Sequence, residues 1–237
     1  MNMDCFLKRF SQVFVSSDND ATFEAFKIWV GGTTSSKISK LLNFAVSQMD
    51  MNECYVETGV FMGCTLISAH YANDRVCIGI DSYGDNMAEA TTANAGVIRD
   101  QAVWNIQRLA HESKLIQKDF RDVSKEEIPH PIAVSFIDAK HTYKDVWENL
   151  EWLEPMLADD ALIFFDDINY EGVSAAVLDW LKAKSETYQL TAYIKPFYQD
   201  GKYISSMTER VLNNGFAIIR YHKNPAAVGV VKLVDQP

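Results

Sequence analysis

The sequence predicts one α/β domain: a mainly parallel, doubly wound sheet with helices on both faces and an antiparallel pair at one edge. Two patterns carry this reading. Short apolar runs alternate with stretches whose apolar residues recur at helical spacing, the order that gives a parallel sheet with right-handed crossovers. Two further apolar runs close the chain with no helix pattern between them, which suggests antiparallel pairing. The 237 residues, 48% of them hydrophobic and 23% charged, suffice for one large core.

Residues 1–34 read as a helical extension and 35–237 as the domain, because no linker separates them. Thr33, Thr34, Ser35 and Ser36 offer capping hydroxyls. Behind them Ile38, Leu41, Leu42, Ala45, Val46 and Met49 form one face of a helix over 35–49. A strand over 54–56 runs into Glu57-Thr58-Gly59, and a helix follows over about 63–72. The second strand, 75–80, stops at Asp81. Residues 85–95 are polar and Ala-rich, a loop or irregular helix. Val103, Ile106 and Ala110 share one face of a helix over 97–110, and a third strand over 114–118 ends near Asp119. The fourth strand, 133–137, ends at Asp138. Tyr143, Val146, Trp147, Leu150, Leu153 and Leu157 then keep helical spacing. The fifth strand, 161–165, ends at Asp166-Asp167, and Val173, Ala176, Val177, Trp180 and Leu181 mark its helix. Strands over 190–194 and 216–221 complete the set.

Charge narrows the function. With 22 Lys+Arg against 32 Asp+Glu the net charge is −10. The basic residues are scattered, so neither a nucleic-acid backbone nor an anionic membrane is an expected partner. No apolar run is long enough to span a bilayer, and residues 1–14 lack the pattern of a signal peptide. Cys5, Cys54, Cys64 and Cys77 form no C-x-x-C pair, which points to free thiols and a cytoplasmic location.

In open α/β sheets ligands bind beyond the carboxyl ends of the strands. Here those ends carry Glu57, Asp81, Asp119, Asp138 and Asp166-Asp167. The first loop, Glu57-Thr58-Gly59-Val60-Phe61-Met62-Gly63-Cys64-Thr65, lacks the dinucleotide G-x-G-x-x-G pattern. An acid in it would repel a pyrophosphate at the helix N-terminus and would suit an ammonium group. The same residues also read as a plain tight strand–helix turn. Asp81 is placed either to accept ribose hydroxyls or simply to be solvated. Asp119-Phe120 could hold an adenine by hydrogen bond and apolar contact. Tyr83, Tyr170, Phe197, Tyr198 and Tyr203 line a pocket or pack an edge, and the other histidines (His70, His111, His130 and His222) read as structural.

The order Glu57-x-Gly59-x-x-x-Gly63-x-Thr65, Gly79-Ile80-Asp81, Phe136-Ile137-Asp138-x-x-His141-x-Tyr143 and Phe164-Phe165-Asp166-Asp167 resembles the class I S-adenosylmethionine-dependent methyltransferases. It is most similar to the branch containing the macrocin and cephalosporin-hydroxylase-type O-methyltransferases, over roughly residues 35–182. The resemblance implies a Rossmann-like seven-stranded sheet with an antiparallel last strand. It implies a cofactor site of Glu57, Thr58, Gly59, Val60, Phe61, Gly63 and Thr65 near the methionine part, Asp81 with Ser82 at the ribose, Asp119 with Phe120 at the adenine, and Asp138 beside them. Metal-using relatives place a divalent cation, usually magnesium, on acids matching Asp138, Asp166 and Asp167. Three such acids facing one another would repel, and a cation resolves the conflict. The alternative is that Asp166-Asp167 only caps the next helix. His141 is a general base or a structural histidine, with Asp138 the other catalytic candidate. Two positions depart from the pattern: Lys140 stands where relatives often carry an acid, and Asp159-Asp160-Ala161 where they often carry glycines.

The expected activity is methyl transfer from S-adenosylmethionine to a hydroxyl of a small-molecule acceptor, assisted by magnesium, in a chain whose N-terminal helices could pair two subunits. The rivals are an NAD-type oxidoreductase and a non-catalytic binding protein of the same fold.

Overall fold

The computed structural model describes residues 1–16, 20–84, 95–194, 198–199, 202–203 and 215–224. Most of the stretch read as a loop over 85–95, and Phe197, lie outside them. Three helices come first: α1 (Met3–Ser16), α2 (Ala21–Val30) and α3 (Ser36–Ser47). Then β1 (Cys54–Thr58), α4 (Cys64–His70), β2 (Val76–Ile80), α5 (Ala95–Leu109) and β3 (Lys114–Ile116) alternate. They are followed by β4 (Ile132–Ile137), α6 (Tyr143–Leu153), β5 (Leu157–Phe165), α7 (Glu171–Ala183) and β6 (Tyr188–Ile194). A short antiparallel pair, β7 (Tyr198–Gln199) and β8 (Lys202–Tyr203), precedes β9 (Phe216–His222).

The seven-stranded sheet has the order β3-β2-β1-β4-β5-β9-β6. β1 to β5 are parallel, and β9 inserts antiparallel between β5 and β6. The expected antiparallel pair is therefore present, with the last strand inside the sheet and β6 at its edge.

Alternate strand residues face two cores. Tyr55, Cys77, Val134, Phe136, Leu162, Phe164 and Ile218 pack under α1–α4. Cys54, Val56, Ile78, Ile80, Ile163, Phe165 and Ile219 pack under α6 and α7. Burial on both faces is why these strands read as apolar runs without polar alternation. The N-terminal helices are part of the first core. Phe6 stacks on Phe44 and meets Phe164 of β5 edge-on, at ring-centroid distances of 5.7 and 6.3 Å. Ser35 caps α3 by accepting from the Ile38 amide.

Several element ends differ from the sequence reading by one to four residues, and two of the differences bear on the site. Leu157 keeps helical spacing but lies in β5: α6 stops at Leu153, and Pro155, which has no amide hydrogen, sits in the turn Glu154–Met156. β1 continues through Glu57 and Thr58, which pair with Gly79 and Ile80 on one side and Phe136 and Ile137 on the other. Glu57 is thus inside the ladder rather than beyond it.

Strand order reverses between β1 and β4. There Gly59 (φ +89°) meets the β4 end so closely that a Cβ would lie 2.0 Å from the Asp138 carbonyl oxygen. Both the backbone conformation and the missing side chain are required. Gly59→Ala is expected to destabilise the fold by at least about 2 kcal/mol, measurable as a lower urea midpoint.

Candidate active site

The end of β1 is held from below by a buried polar trio. Glu57 is fully buried and accepts hydrogen bonds from Tyr55 Oη and Thr65 Oγ1, both at 2.7 Å. Burial outweighs these two donors, and with the neighbouring Asp138 and Asp81 carboxylates it pushes the Glu57 carboxyl up to about 8. The neighbouring Thr58 is also buried, and its Oγ1 accepts from Asn149 Nδ2 of α6 at 2.8 Å.

The following loop is closed by Asp81. One Asp81 oxygen accepts from the amides of Val60 and Phe61 (2.8 and 3.0 Å), and the other from the amide of Tyr83 (2.8 Å). Three of the roughly four acceptor positions of a carboxylate are occupied in this way, leaving about one for a ligand hydroxyl. Gly59 N donates to Ile80 O and Gly63 N to Val60 O. The amides of residues 59, 60, 61 and 63 are therefore all engaged within the protein. A dinucleotide site needs such amides free to face a pyrophosphate, so the loop is built against the oxidoreductase reading. Val60 is buried, Phe61 (φ +50°) is half-buried beside Tyr83, whose hydroxyl donates to Phe61 O at 3.2 Å, and Ser82 is exposed.

Beyond β3, Asp119 caps a short turn through the Arg121 amide and pairs with the Arg121 guanidinium at 3.0 Å. The same guanidinium reaches Asp145 and Glu148 of α6. Phe120 is buried, edge-on to Trp152 at 5.9 Å. Its ring thus belongs to the second core.

The ends of β4 and β5 supply a second constellation. Asp138, His141 and Asp167 each offer a ligand atom within 4.8 Å of the others. His141 Nε2 lies 2.8 Å from Asp167 Oδ2 and 3.9 Å from Asp138 Oδ1. The flanking carboxylates of Asp138 and Asp167 push the imidazole up to about 10. Burial pushes Asp138 up to about 6 despite His141. Asp166 stands apart from the trio: its side chain is buried, one oxygen accepts from the Asp167 amide at 2.9 Å, and burial with the Asp138 and Asp167 charges holds its carboxyl well above the usual range. Of the three acids expected at a metal, the structure groups two, and it adds His141. Lys140 is exposed. Tyr170 stacks on His141 at 4.7 Å between ring centroids.

Three supporting residues escaped the sequence reading. Tyr55 and Asn149 sit in apolar and helical patterns that hide a hydrogen-bonding duty. Gly172 lets α7 approach the His141 loop, where a Cβ would lie 2.7 Å from His141 O. An isolated glycine at a helix start was the signal available.

A family model described as "Methyltransferase domain" matches residues 56–168, from β1 to just past β5. This stretch of the chain matches a methyltransferase domain. Solved structures agree on the fold of the methyltransferase. The O-methyltransferase TomG from Streptomyces achromogenes, solved with SAM, is 14% identical, with a TM-score of 0.56 over 80% of this chain and 82% of its own. An O-methyltransferase from Bacillus cereus, solved with SAH, is 14% identical, with a TM-score of 0.54 over 92% and 91%. The O-methyltransferase NovP is 17% identical, with a TM-score of 0.56 over 78% and 79%. No curated protein matches the sequence of this methyltransferase. Among the described residues no helix is long and apolar enough to cross a membrane, and all four cysteines are free.

The Glu57 carboxyl gives a test with a definite sign. Its ordinary value of 4.5 rises to about 8 in the fold, so the folded protein holds a proton that the unfolded chain releases. Its stabilising contribution is complete below pH 4.5 and is lost as pH rises to 8. Glu57→Gln should match the parent in stability near pH 4.5 and exceed it by roughly 2–4 kcal/mol at pH 8.5, as read by urea unfolding at the two pH values.

Proposed function

We propose that this methyltransferase moves a methyl group from S-adenosylmethionine to a hydroxyl of a small-molecule acceptor, with a divalent cation at the rim. The observation that carries the reading is the gathering of Glu57, Asp81, Asp138 and Asp167 around the point where strand order reverses. Burial together with the neighbouring carboxylates raises the proton affinity of Glu57 and Asp138, and the negative charge left at the rim favours a ligand carrying positive charge. A sulfonium with an α-ammonium meets that requirement, and a pyrophosphate does not.

The residues present suit the cofactor. Asp81 keeps about one acceptor position for a ribose hydroxyl, Asp119 lies on the adenine side, and Gly59 and Gly63 keep the loop low. They also suit a dication: Asp138 and Asp167 supply hard oxygen donors on adjacent strand ends. The cofactor brings an already activated methyl group, and the cation would bring Lewis acidity toward the acceptor oxygen. The chain's own work is positional. Asp81 fixes the nucleoside end, Tyr170 steadies His141, and Asp138, paired with His141, is the group set to receive the acceptor's proton. The O-methyl outcome is also favoured by TomG, NovP and the Bacillus cereus protein, all O-methyltransferases.

Calorimetric titration of S-adenosylhomocysteine and NAD, with and without a divalent cation, is the direct test. Binding of S-adenosylhomocysteine alone is expected; NAD binding without it would overturn the reading. Asp81→Asn should weaken S-adenosylhomocysteine by about ten-fold, the scale of one charge-assisted hydrogen bond. Asp167→Ala should abolish cation-dependent turnover and leave that affinity within about three-fold, because it lies on the other side of the rim.

A further inference from the structure

We infer that Asn105 is a positioning residue for the methyl-donor site: it fastens the N-terminal helices to the first rim loop, so that the turn after α2 helps to set the loop that receives the cofactor. This rests on the reading above, which seats the cofactor at the loop Gly59–Gly63, and deepens it.

Asn105 lies in α5, outside both of the segments it joins. Its side chain is fully buried. The amide nitrogen donates to Met62 O at 2.8 Å and to Val30 O at 3.3 Å, and the amide oxygen accepts from Gln101 Nε2 at 2.9 Å. Two carbonyls on one side and a donor on the other leave the amide a single orientation. Truncation would take this donor from both carbonyls in a place where water does not readily replace it.

The loop needs such a hold at Met62. This residue stands between Phe61 (φ +50°) and Gly63 (φ +91°). Phe61 has no intrinsic preference for that conformation, so contacts from elsewhere must impose it. Asp81 holds the loop by the amides of Val60 and Phe61. Asn105 holds it by the next carbonyl. The two grips are complementary: an acid on amides, and an amide on a carbonyl.

The turn after α2 rests on the same stretch. Gly31 (φ +81°) ends α2, and the Gly31 and Gly32 amides both donate to Lys27 O, at 3.0 and 3.2 Å. A Cβ on Gly32 would lie 2.4 Å from Cys64 Cβ, and one on Gly31 would lie 3.0 Å from Met62 Sδ. Gly63 is equally close to α5, where a Cβ would lie 3.1 Å from Ile106 Cγ1. Three elements thus meet without slack, and a shift in one is passed to the others. Occupancy of the loop and order in the turn after α2 are therefore linked, and the linkage is reciprocal.

Hydrogen exchange of the full-length protein, read by mass spectrometry with and without saturating S-adenosylhomocysteine, tests the linkage. The Gly31 and Gly32 amides are the reporters. In the parent, the ligand should slow exchange in residues 59–63 and also in 27–32. In Asn105→Ala the first protection should persist and the second disappear. By calorimetry Asn105→Ala should bind S-adenosylhomocysteine about ten-fold more weakly, the scale of one buried hydrogen bond. Gln101→Met, which removes only the donor that orients the amide, should cost about three-fold. Val177→Ala, in the second core under α7, controls for lost stability and should leave the affinity unchanged. Unaltered affinity in Asn105→Ala, or protection of 27–32 that survives the substitution, would overturn the inference. A loss of affinity in Val177→Ala as large as in Asn105→Ala would do the same, by reducing the effect to general destabilisation. If Asn105→Ala does not fold, Gln101→Met decides by the same two readouts. A parent that binds S-adenosylhomocysteine without protecting 27–32 overturns this inference alone, and a parent that does not bind it overturns the proposed function as well.

Discussion

Like charge crowded at one point of the sheet is the constraint that organises this molecule. Parallel strands deliver their carboxyl ends to a common rim, and here five of those ends carry acids. Bringing them together in a partly buried setting raises the free energy of each ionised form. The fold answers in three ways. Glu57 is buried with two hydroxyl donors and kept largely protonated. Asp81 accepts from three backbone amides and Asp119 pairs with Arg121. Asp138 and Asp167 share the His141 cation. What remains is a residual negative field, which suits a positively charged methyl donor.

The first loop shows how one scaffold separates two ligand classes. A doubly wound sheet places a glycine turn and a helix start at the same spot whether the ligand is a dinucleotide or a nucleoside sulfonium. The difference lies in where the amides point. In this chain Asp81 draws the Val60 and Phe61 amides inward, and Gly63 turns back on Val60. The carboxylate proposed to hold the ribose thus also disables the loop as a phosphate cradle.

Much of this was legible in the sequence, for reasons that can be named. The strands were readable because both faces are covered, which makes Ile132–Ile137 and the end of β5 apolar throughout. The rim acids were readable because each ends such a run. Glu57 was misplaced by position: its polarity suggests a strand end, but its side chain is in the ladder because Tyr55 and Thr65 supply donors. Leu157 kept the helical period by coincidence, and Pro155 ended the helix. The division between Asp166 and Asp167 was not legible at all. Two identical neighbours differ only through a backbone turn, and the turn is set by tertiary contacts with the His141 loop and α7. The insertion of β9 between β5 and β6 was equally hidden, since pairing partners depend on the path of the whole chain.

The two halves of the rim are mechanically joined, and this bears on Lys140. Arg121, after β3, grips Asp119 and also Asp145 and Glu148 on α6. Asp145 in turn fixes the N-terminus of α6 through Thr142, the residue after His141. Lys140 lies in the field of Asp145 and helps to hold its carboxyl below the ordinary range, behind Thr142 and Arg121. An acid at position 140 would weaken this anchoring by adding like charge beside Asp145. The lysine therefore exchanges a proton-accepting group at the rim for a firmer seat under His141. Such an exchange is coherent only if the acceptor's proton has another destination, and under the proposed function Asp138 supplies one.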